Sequence, residues 1–428
     1  MSLYARVRQI MMVGGVESFG IAMGGVAGLL IVNLLPKEQY AVYTFLLASM
    51  TLMAGISELG LSHCVLPVVG QRAGEQRWVV GVCHEIFRWR WVLLGVGMVL
   101  VVPYGIYSAF QHGWFGPAFV LTSALMLVVV SLTLRDNFLH TLLLLLGQVP
   151  TLNRVALSMH TVRFLLVGAA LLLPLKSYTM SALFAATATS LLVAIRLQVR
   201  ALATHRVQDW HLDGGERRAV DREALRIAMP LVPSAIFFHV QGVVTVLIVS
   251  LFGTSDMMAE VGAFARLAMV LTVLDRVTNM LLFPAIARAT PGPRFVRLLV
   301  RVHGAYLGLM LLIFLTAVFF PKAWMLLLGR QYEAQTPYLW MAVGGFILMS
   351  AAGFSFRTLT GRGATTRQWV TIPLVLAVQV AWVGWVGVNT LPLVLGFNLA
   401  TCCVHFAYQY ALLLARLPEW RRSPVAAG

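Results

Sequence analysis

Runs of apolar residues, separated by short polar links, fill almost the whole chain. A helix needs about 20 apolar residues to cross the hydrocarbon core of a bilayer. Because backbone N–H and C=O groups cannot bind water in lipid, each such run is predicted to be a helix. The pattern predicts an all-α integral membrane protein with about 12 transmembrane helices. The predicted spans cover residues 10–35, 40–69, 86–110, 117–147, 150–174, 179–197, 227–252, 259–287, 297–320, 336–360, 369–388 and 392–415.

Composition leaves little of the chain for a soluble domain, since 59% of the residues are hydrophobic and 11% are charged. The function is therefore expected within or across a membrane, which points to transport, intramembrane chemistry or scaffolding. The first span has no small-residue cleavage site behind it, so we interpret it as a retained helix and not as a signal peptide. The spacing of the four cysteines fits neither a metal site nor a disulfide framework, and we expect no metal and no cofactor.

The net charge of +16 is distributed unevenly among the links. If the N-terminus is cytoplasmic, most of the 32 Lys and Arg residues fall on cytoplasmic ends and links, as the positive-inside rule requires. The outer links then hold only Lys37, Lys176, Lys322 and Arg330. We therefore expect both termini to be cytoplasmic. Because the positive charge follows membrane topology, no nucleic acid is expected as a partner.

The longest hydrophilic stretch, residues 196–226, divides the spans into six and six. It predicts an N-terminal six-helix lobe over 1–200, a cytoplasmic basic linker over 201–226 and a C-terminal six-helix lobe over 227–428. Residues 31–34 (Ile-Val-Asn-Leu) and 248–251 (Ile-Val-Ser-Leu) both close the first helix of a half, and Pro67 and Pro284 follow at equal distances. The two lobes are therefore predicted to be parallel repeats around a central cavity.

Three segments resemble one family of membrane transporters. Leu34–Tyr43 together with Ile56–Ser62 is similar to the LGPxxYGxY … DLGL opening of polysaccharide-exporting flippases. Gly262–Arg266 together with Leu282–Arg288 is similar to that family's eighth helix, which ends in PxxAR-like residues. Leu328–Pro337 resembles the family's FGxxYxxAxP turn ahead of helix ten. In order and spacing, these segments resemble the multidrug/oligosaccharidyl-lipid/polysaccharide (MOP) exporter superfamily, in its Wzx-like branch of polysaccharide and O-antigen flippases.

The resemblance implies a flippase that moves a polyprenyl-diphosphate-linked oligosaccharide from the inner to the outer leaflet by alternating access. It implies the bacterial inner membrane as the location, and the biosynthesis of a surface polysaccharide, such as lipopolysaccharide or capsule, as the pathway. The implied partners are the lipid-linked oligosaccharide, membrane lipids and the polysaccharide polymerase machinery. Lipid II flippases of the superfamily usually carry fourteen helices, so twelve spans favour the polysaccharide branch.

Charged side chains within the spans provide the candidate site. A lone arginine at the centre of a membrane helix costs at least about 2.5–3.5 kcal/mol on insertion scales, so such residues usually face water or a paired acid. Five arginines fall within the predicted spans: Arg135, Arg163, Arg266, Arg276 and Arg357. Arg266 and Arg357 lie near the ends of their spans and are expected to be interfacial. Arg135 in span four and Arg163 in span five lie deeper, and each belongs to a stripe of polar residues on its helix. The candidate substrate-binding residues are Arg135, His140, Asn153, His160, Arg163 and, in span eight, Arg276.

Spans four and five are joined by a short link, so we expect them to pack as antiparallel neighbours and to form one wall of a wet cavity. The guanidinium of arginine suits a diphosphate because its planar fork binds two oxygens and stays charged. The alternative is a structural ion pair in which Asp136 neutralises Arg135 or Arg163. A further polar face in span twelve predicts interhelical hydrogen bonds or a substrate contact, and consists of Asn398, Cys402, His405 and Gln409.

Three acids deep within the spans are candidates for coupling transport to an ion: Glu17, Asp136 and Asp275. Glu17 is the first candidate, because no basic residue lies one turn away and a buried carboxylate without a partner can carry a proton. The alternative for Glu17 is a neutral side chain that is hydrogen-bonded across a helix interface. The glycines around it form a small-residue face that suits close helix packing.

The alternative function is a small-molecule exporter of the same fold, driven by Na⁺ or H⁺. A drug-exporting cavity usually favours organic cations and hence acids, and the deep acids here are balanced by an equal number of deep arginines. A polysaccharide polymerase or ligase needs a sizeable outer loop with catalytic groups. The longest outer link, residues 321–335, has one acid and no histidine, so no enzymatic activity is expected.

Overall fold

The computed structural model describes residues 3–61, 64–205, 207, 210–281, 286, 289–364 and 367–422, without the side chains of residues 3–14, 16–18, 71, 269–271 and 273–281. Every regular element in this part of the chain is helical. Helices satisfy their backbone groups within one segment, as a lipid environment requires. The all-α fold class predicted from the sequence is confirmed.

The chain divides into two compact units, Met1–Leu251 and Phe252–Gly428. Helices α1 to α10 are Leu3–Leu34, Lys37–Glu58, Val65–Val69, Gln76–Gln111, Pro117–Leu145, Val149–Leu172, Thr179–Thr204, Gly214–Ala228, Val232–Gln241 and Val244–Phe252. Helices α11 to α16 are Ser255–Leu281, Pro293–Phe319, Pro321–Leu328, Leu339–Thr360, Thr371–Trp385 and Leu391–Arg422. Short 3-10 helices lie at Gly70–Arg72, Lys176–Tyr178, Arg330–Tyr338 and Gln368–Val370.

Nine helices of the described part are long and apolar enough to cross a membrane, or ten if the bent pair of α8 and α9 is one span. The nine correspond to the second to sixth and the ninth to twelfth predicted spans. The first predicted span contains the shorter apolar stretch Phe19–Leu34 of α1, and the eighth falls in α11, where the side chains of residues 269–271 and 273–281 lie outside the described residues. The protein is thus a multi-pass integral membrane protein.

The seventh predicted span, residues 227–252, is not one continuous helix. The chain bends by 60° between α8 and α9, and a second break separates α9 from α10 at residues 242–243. Pro230 lies in the first break and Pro233 in the first turn of α9. A proline lacks the N–H for the helical hydrogen bond, so Pro230 and Pro233 remove two of the bonds that a continuous helix would need here.

Helices α9 and α10 group with the first unit, although the sequence division places residues 227–251 in the second lobe. A Cβ on Gly55 of α2 would lie 2.5 Å from Nδ1 of His239, so α9 approaches α2 closely. Farther along, the Tyr104 hydroxyl of α4 is hydrogen-bonded to Ser250 of α10. The division into lobes at residues 200 and 227 stays a prediction.

Helix α7 packs along both α5 and α6 in the first unit, while α5 and α6 share few contacts. The turn between α5 and α6 is a Schellman motif, with Gly147 at φ 74° and a hydrogen bond of 2.9 Å from the Gln148 N–H to the Leu143 carbonyl. The prediction that α5 and α6 pack side by side is therefore wrong. The short turn keeps them close at one end, and each of them packs mainly against α7.

The second unit is built around α14, which packs against α11, α12 and α16. Small side chains on α14 allow backbones to approach closely, as is typical of membrane helices. At the closest point, a Cβ on Gly345 would lie 2.9 Å from Nδ2 of Asn398 on α16. Gln409 of α16 donates a hydrogen bond of 2.8 Å to Gln368. The prediction that the polar face of the last span forms hydrogen bonds between elements is confirmed for Gln409.

The hydrophilic segment predicted as a linker contains the regular helix α8, which packs on α3 and α4. Val220, Ala224 and Ala228 on one face of α8 are buried. Leu212, just ahead of α8, also packs against α4, since a Cβ on Gly81 of α4 would lie 2.5 Å from the Leu212 side chain. The segment is therefore docked on the first unit and does not connect two helices loosely.

Ion pairs and hydrogen bonds surround this docked helix. The Arg217 guanidinium of α8 donates a hydrogen bond of 3.0 Å to Glu85, which also pairs with Arg88. Trp89 donates a hydrogen bond of 2.7 Å to Asp221 of α8. Ion pairs on the surface contribute little to stability. The Glu85 side chain, however, is only 11% exposed, so water solvates this carboxylate poorly and it depends on its arginine partners.

We predict that Glu85→Gln loosens α8. Replacing the carboxylate removes a charge-assisted partner from both Arg217 and Arg88, and these arginines are 45% and 42% exposed, so water offsets part of the loss. We expect the free energy that opposes local opening of α8 to fall by about 1 kcal/mol. This corresponds to about fivefold faster amide hydrogen exchange over residues 214–228.

The matched control is Glu223→Gln, since Glu223 lies on α8 and pairs with Arg226, which is 74% exposed. This variant is expected to leave the exchange of α8 unchanged. Equal exchange in the Glu85→Gln variant and in the original protein would contradict the role assigned to Glu85.

Candidate substrate-binding site

Asp136 of α5 accepts a hydrogen bond of 3.0 Å from the Gln198 amide of α7. His140, one turn along α5, is close enough to interact electrostatically with the Asp136 carboxylate. Among the described residues, no ion pair joins Asp136 to Arg135 or Arg163. Asp136 is thus held by a neutral amide. The structural ion pair considered from the sequence is not formed in this structure.

Arg135 has an exposed side chain, and its guanidinium carbon lies 5.2 Å from the centre of the Phe138 ring. Phe138 is buried and packs edge-on against Phe87 of α4, with ring centres 5.2 Å apart. The cation therefore rests on a fixed aromatic surface and keeps its hydrogen-bond donors free of any carboxylate in the described part of the chain. Such a cation–π contact orients a guanidinium without neutralising it.

Arg163 and His160 lie one turn apart on α6, which packs against α1. The His160 ring fills the space beside Gly20 of α1, where a Cβ would come within 2.5 Å of it. Arg163 is half-buried, and its Nε is enclosed without a hydrogen-bond partner among the described residues. This unsatisfied donor is costly when buried. An anion or water at Arg163 would remove that cost.

Helix geometry orders these polar groups by their height above the turn between α5 and α6. At 1.5 Å per residue, Asn153 and His140 lie about 6–8 Å along their helices, Arg135 about 15 Å and Arg163 about 21 Å. Asn153 is half-buried and His140 is exposed. The two arginines therefore lie at different distances from this turn, with Arg163 farther from it than Arg135.

Three candidates lie outside the described side chains. Glu17 is in α1, and Asp275 and Arg276 are in α11, but the structure describes only the backbone at these positions. Arg266 and Arg357, expected to be interfacial, are both half-buried. The described residues contain no group of three or more His, Cys, Asp or Glu placed to hold a metal ion.

Two polar features were missed from the sequence. Gln198, the partner of Asp136, lies far away in sequence on α7, and no spacing within one helix identifies such a partner. In the second unit, His303 of α12 is buried, with its ring nitrogens 3.2 Å from the Tyr410 hydroxyl and 3.3 Å from the Thr358 hydroxyl. Thr358 itself donates to the Phe354 carbonyl, so it accepts from His303. His303 thus makes neutral hydrogen bonds that tie α12 to α14 and α16.

Several solved structures share this fold, whereas no protein-family model and no curated protein sequence matches the chain. An inward-facing multidrug resistance MATE family transporter of the MOP superfamily matches with a TM-score of 0.69 and 15% identity, over 95% of this chain and 96% of that one. An outward-facing MATE family transporter matches with a TM-score of 0.58 and 14% identity, over 96% of both chains.

A third match is a MOP superfamily transporter from Pyrococcus furiosus, described by the reverse polarity of its binding pocket. Its TM-score is 0.61 at 15% identity, over 96% of both chains. These structures cover nearly the whole chain and are covered equally well by it. The chain therefore has the fold of MOP superfamily transporters, as its sequence resemblance implies.

We predict that Gly20→Ala disturbs the packing of α1 on α6. The added Cβ would overlap the His160 ring, and such overpacking typically costs about 1–3 kcal/mol. Thermal unfolding of the purified protein in detergent measures the effect. Gly24→Ala is the matched control, since a Cβ there meets nothing within 4 Å. Combining Gly20→Ala with His160→Ala should restore much of the lost stability, and additive losses would contradict the contact.

Proposed function

We propose that this protein is a flippase that translocates a polyprenyl-diphosphate-linked oligosaccharide across the membrane. The observation that carries the proposal is that Arg135 and Arg163, both within membrane spans, have no carboxylate partner among the described residues. A guanidinium kept unpaired at that depth is costly, and a ligand with negative charge lowers the cost. A diphosphate provides four or more acceptor oxygens for two planar forks.

The different depths of the two arginines suggest how the headgroup would move. The diphosphate would meet His140 and Asn153 first, then Arg135, then His160 and Arg163, while the polyprenyl chain stays in lipid. Arg276 stays a candidate from the sequence alone. Because each arginine would hold the diphosphate for part of the path only, neither site needs to bind it tightly enough to trap it.

Coupling to an ion is part of the proposal, with Glu17, Asp136 and Asp275 as the candidate acids. The hydrogen bond from Gln198 supports a role for Asp136, because that amide donates to a carboxylate and to a carboxylic acid alike. Asp136 could therefore gain or lose a proton without losing its partner on α7. An ion shifts the balance between two conformations only if it binds them with different affinity.

A small-molecule exporter driven by Na⁺ or H⁺ is the second candidate. The similar structures described as multidrug transporters favour it. Arg135 and Arg163, which have no carboxylate partner among the described residues, count against an exporter of organic cations, since like charges repel. The similar transporter whose binding pocket has reverse polarity illustrates that this fold accommodates pockets of different charge.

The proposal places the protein in the bacterial inner membrane, with both termini in the cytoplasm. Its substrate would come from the pathway of a surface polysaccharide, such as O-antigen or capsule. The proposed partners are the lipid-linked oligosaccharide, membrane lipids and the polysaccharide polymerase machinery. The transporter fold of the similar structures supports translocation rather than an enzymatic reaction.

Arginine substitutions test the proposal in cells that depend on this protein for surface polysaccharide. Arg163→Ala and Arg135→Ala should each lower polysaccharide export at least about tenfold, since a charged hydrogen-bonded contact is worth about 1.5–3 kcal/mol. Lysine at either position should restore part of the export, because it supplies the charge without the planar fork.

The matched control is Arg154→Ala, which removes an exposed arginine from the first turns of α6 and should leave export unchanged. Protein abundance in the membrane is measured in parallel. Full export by both alanine variants would reject the diphosphate path. Loss of the protein itself, without a fall in export per molecule, would assign the arginines a structural role.

A further inference from the structure

Helix α8 has two faces of opposite character. Its buried face is apolar and lies on the first unit, as described above. The opposite face carries Arg218, Arg222 and Arg226, which are spaced by four residues and are exposed. We call these three residues the basic stripe. Residues four apart on a helix lie about 5–6 Å from one another, so the stripe is a continuous row of positive charge.

Among the described residues, the acids of α8 pair with this row only at Arg226. Asp221 is taken up by Trp89 and Arg88 of α4, and Glu216 lies 3.8 Å from Arg72. Glu223 pairs only with Arg226, at the end of the stripe. Arg218 and Arg222 have no carboxylate partner among the described residues. Asp221 and Glu216 are thus directed at other parts of the protein, while Arg218 and Arg222 lie on the opposite face of α8 from its buried side chains.

Apolar side chains interleave with the basic stripe at the end of α8 that leads into the membrane. Leu225 is 41% exposed, Met229 is 65% exposed and Leu231 is 39% exposed. The helical spacing places Leu225 and Met229 on the same face as the arginines. Directly after them, the 60° bend leads into α9, which is apolar. This end of α8 therefore lies where a membrane surface would meet it.

We propose that the basic stripe binds the headgroups of acidic phospholipids, with Leu225 and Met229 inserted between the acyl chains. The joint presence of free arginines and exposed apolar side chains is typical of helices that lie in a membrane interface. A soluble polyanion would account for the arginines but not for the apolar residues. The proposal does not depend on which substrate the protein transports.

Lipid binding at the basic stripe would hold α8 on two sides. Its inner face is attached to α4 through Glu85 and Asp221, and its outer face would be attached to the bilayer. The amount of acidic lipid would then determine how firmly residues 214–231 are held at the membrane surface. Transport activity could vary with lipid composition without any change at Arg135 or Arg163.

Native mass spectrometry of the purified full chain, delipidated in neutral detergent, tests this proposal. Phosphatidylglycerol and phosphatidylcholine are titrated separately, and the affinity of the first bound lipids is compared between the original protein and Arg218→Gln/Arg222→Gln. We expect the original protein to prefer phosphatidylglycerol. The double variant should lose about fivefold in affinity for each arginine removed, and higher salt should weaken the preference.

The matched control is Arg421→Gln/Arg422→Gln, which removes the same charge from the exposed end of α16. This control variant should keep most of the preference for phosphatidylglycerol over phosphatidylcholine. A third variant, Leu225→Ser/Met229→Ser, should also weaken phosphatidylglycerol binding. The proposal is overturned if the stripe variant binds phosphatidylglycerol as the original does, or if the control loses as much. Displacement of the lipid by sodium diphosphate at equal concentration would overturn it too, in favour of a soluble anion.

Discussion

A guanidinium within a membrane span must meet water or an anion, and this requirement governs the first unit. Arg135 is oriented by an aromatic ring, and Asp136 beside it is occupied by the Gln198 amide. Arg163 has an enclosed donor with no partner among the described residues. A neutral amide therefore satisfies the acid, while both arginines lack a carboxylate partner among the described residues. A salt bridge between Asp136 and either arginine would offset part of the cost of removing both charges from water, and no such bridge forms among the described residues.

Charge is sorted in the same way outside the spans. Helix α8 directs Asp221 at α4, whereas Arg218 and Arg222 lie on its opposite face without a carboxylate partner among the described residues. The buried contacts of Val220 and Ala224 fix which face points outward, so the position of the basic stripe follows from ordinary apolar packing. After α8, helix α9 packs against α2, and α10 is hydrogen-bonded to α4. A segment that is hydrophilic in sequence thus contributes to how the apolar helices are arranged.

The sequence predicts the helices well, because a run of about 20 apolar residues has few alternatives in lipid. Nine predicted spans correspond to apolar helices long enough to cross, and the polar face of α16 forms the expected hydrogen bonds through Gln409. The neighbours of each helix could not be predicted, since a short link fixes only one end of a pair. Helix α7 therefore separates α5 from α6, and Gln198 reaches Asp136 from a position that no local spacing reveals. The docking of α8 was missed because its apolar face has only three small buried side chains.

The most direct test of the central claim uses the purified protein reconstituted into vesicles that contain a fluorescent polyprenyl-diphosphate oligosaccharide. A membrane-impermeant quencher reports the fraction of labelled headgroups in the outer leaflet. Our account predicts that the protein speeds exchange of the headgroup between leaflets compared with empty vesicles, and that free diphosphate slows this exchange. No acceleration, combined with ion-driven uptake of an organic cation by the same vesicles, would contradict the account and identify a small-molecule exporter.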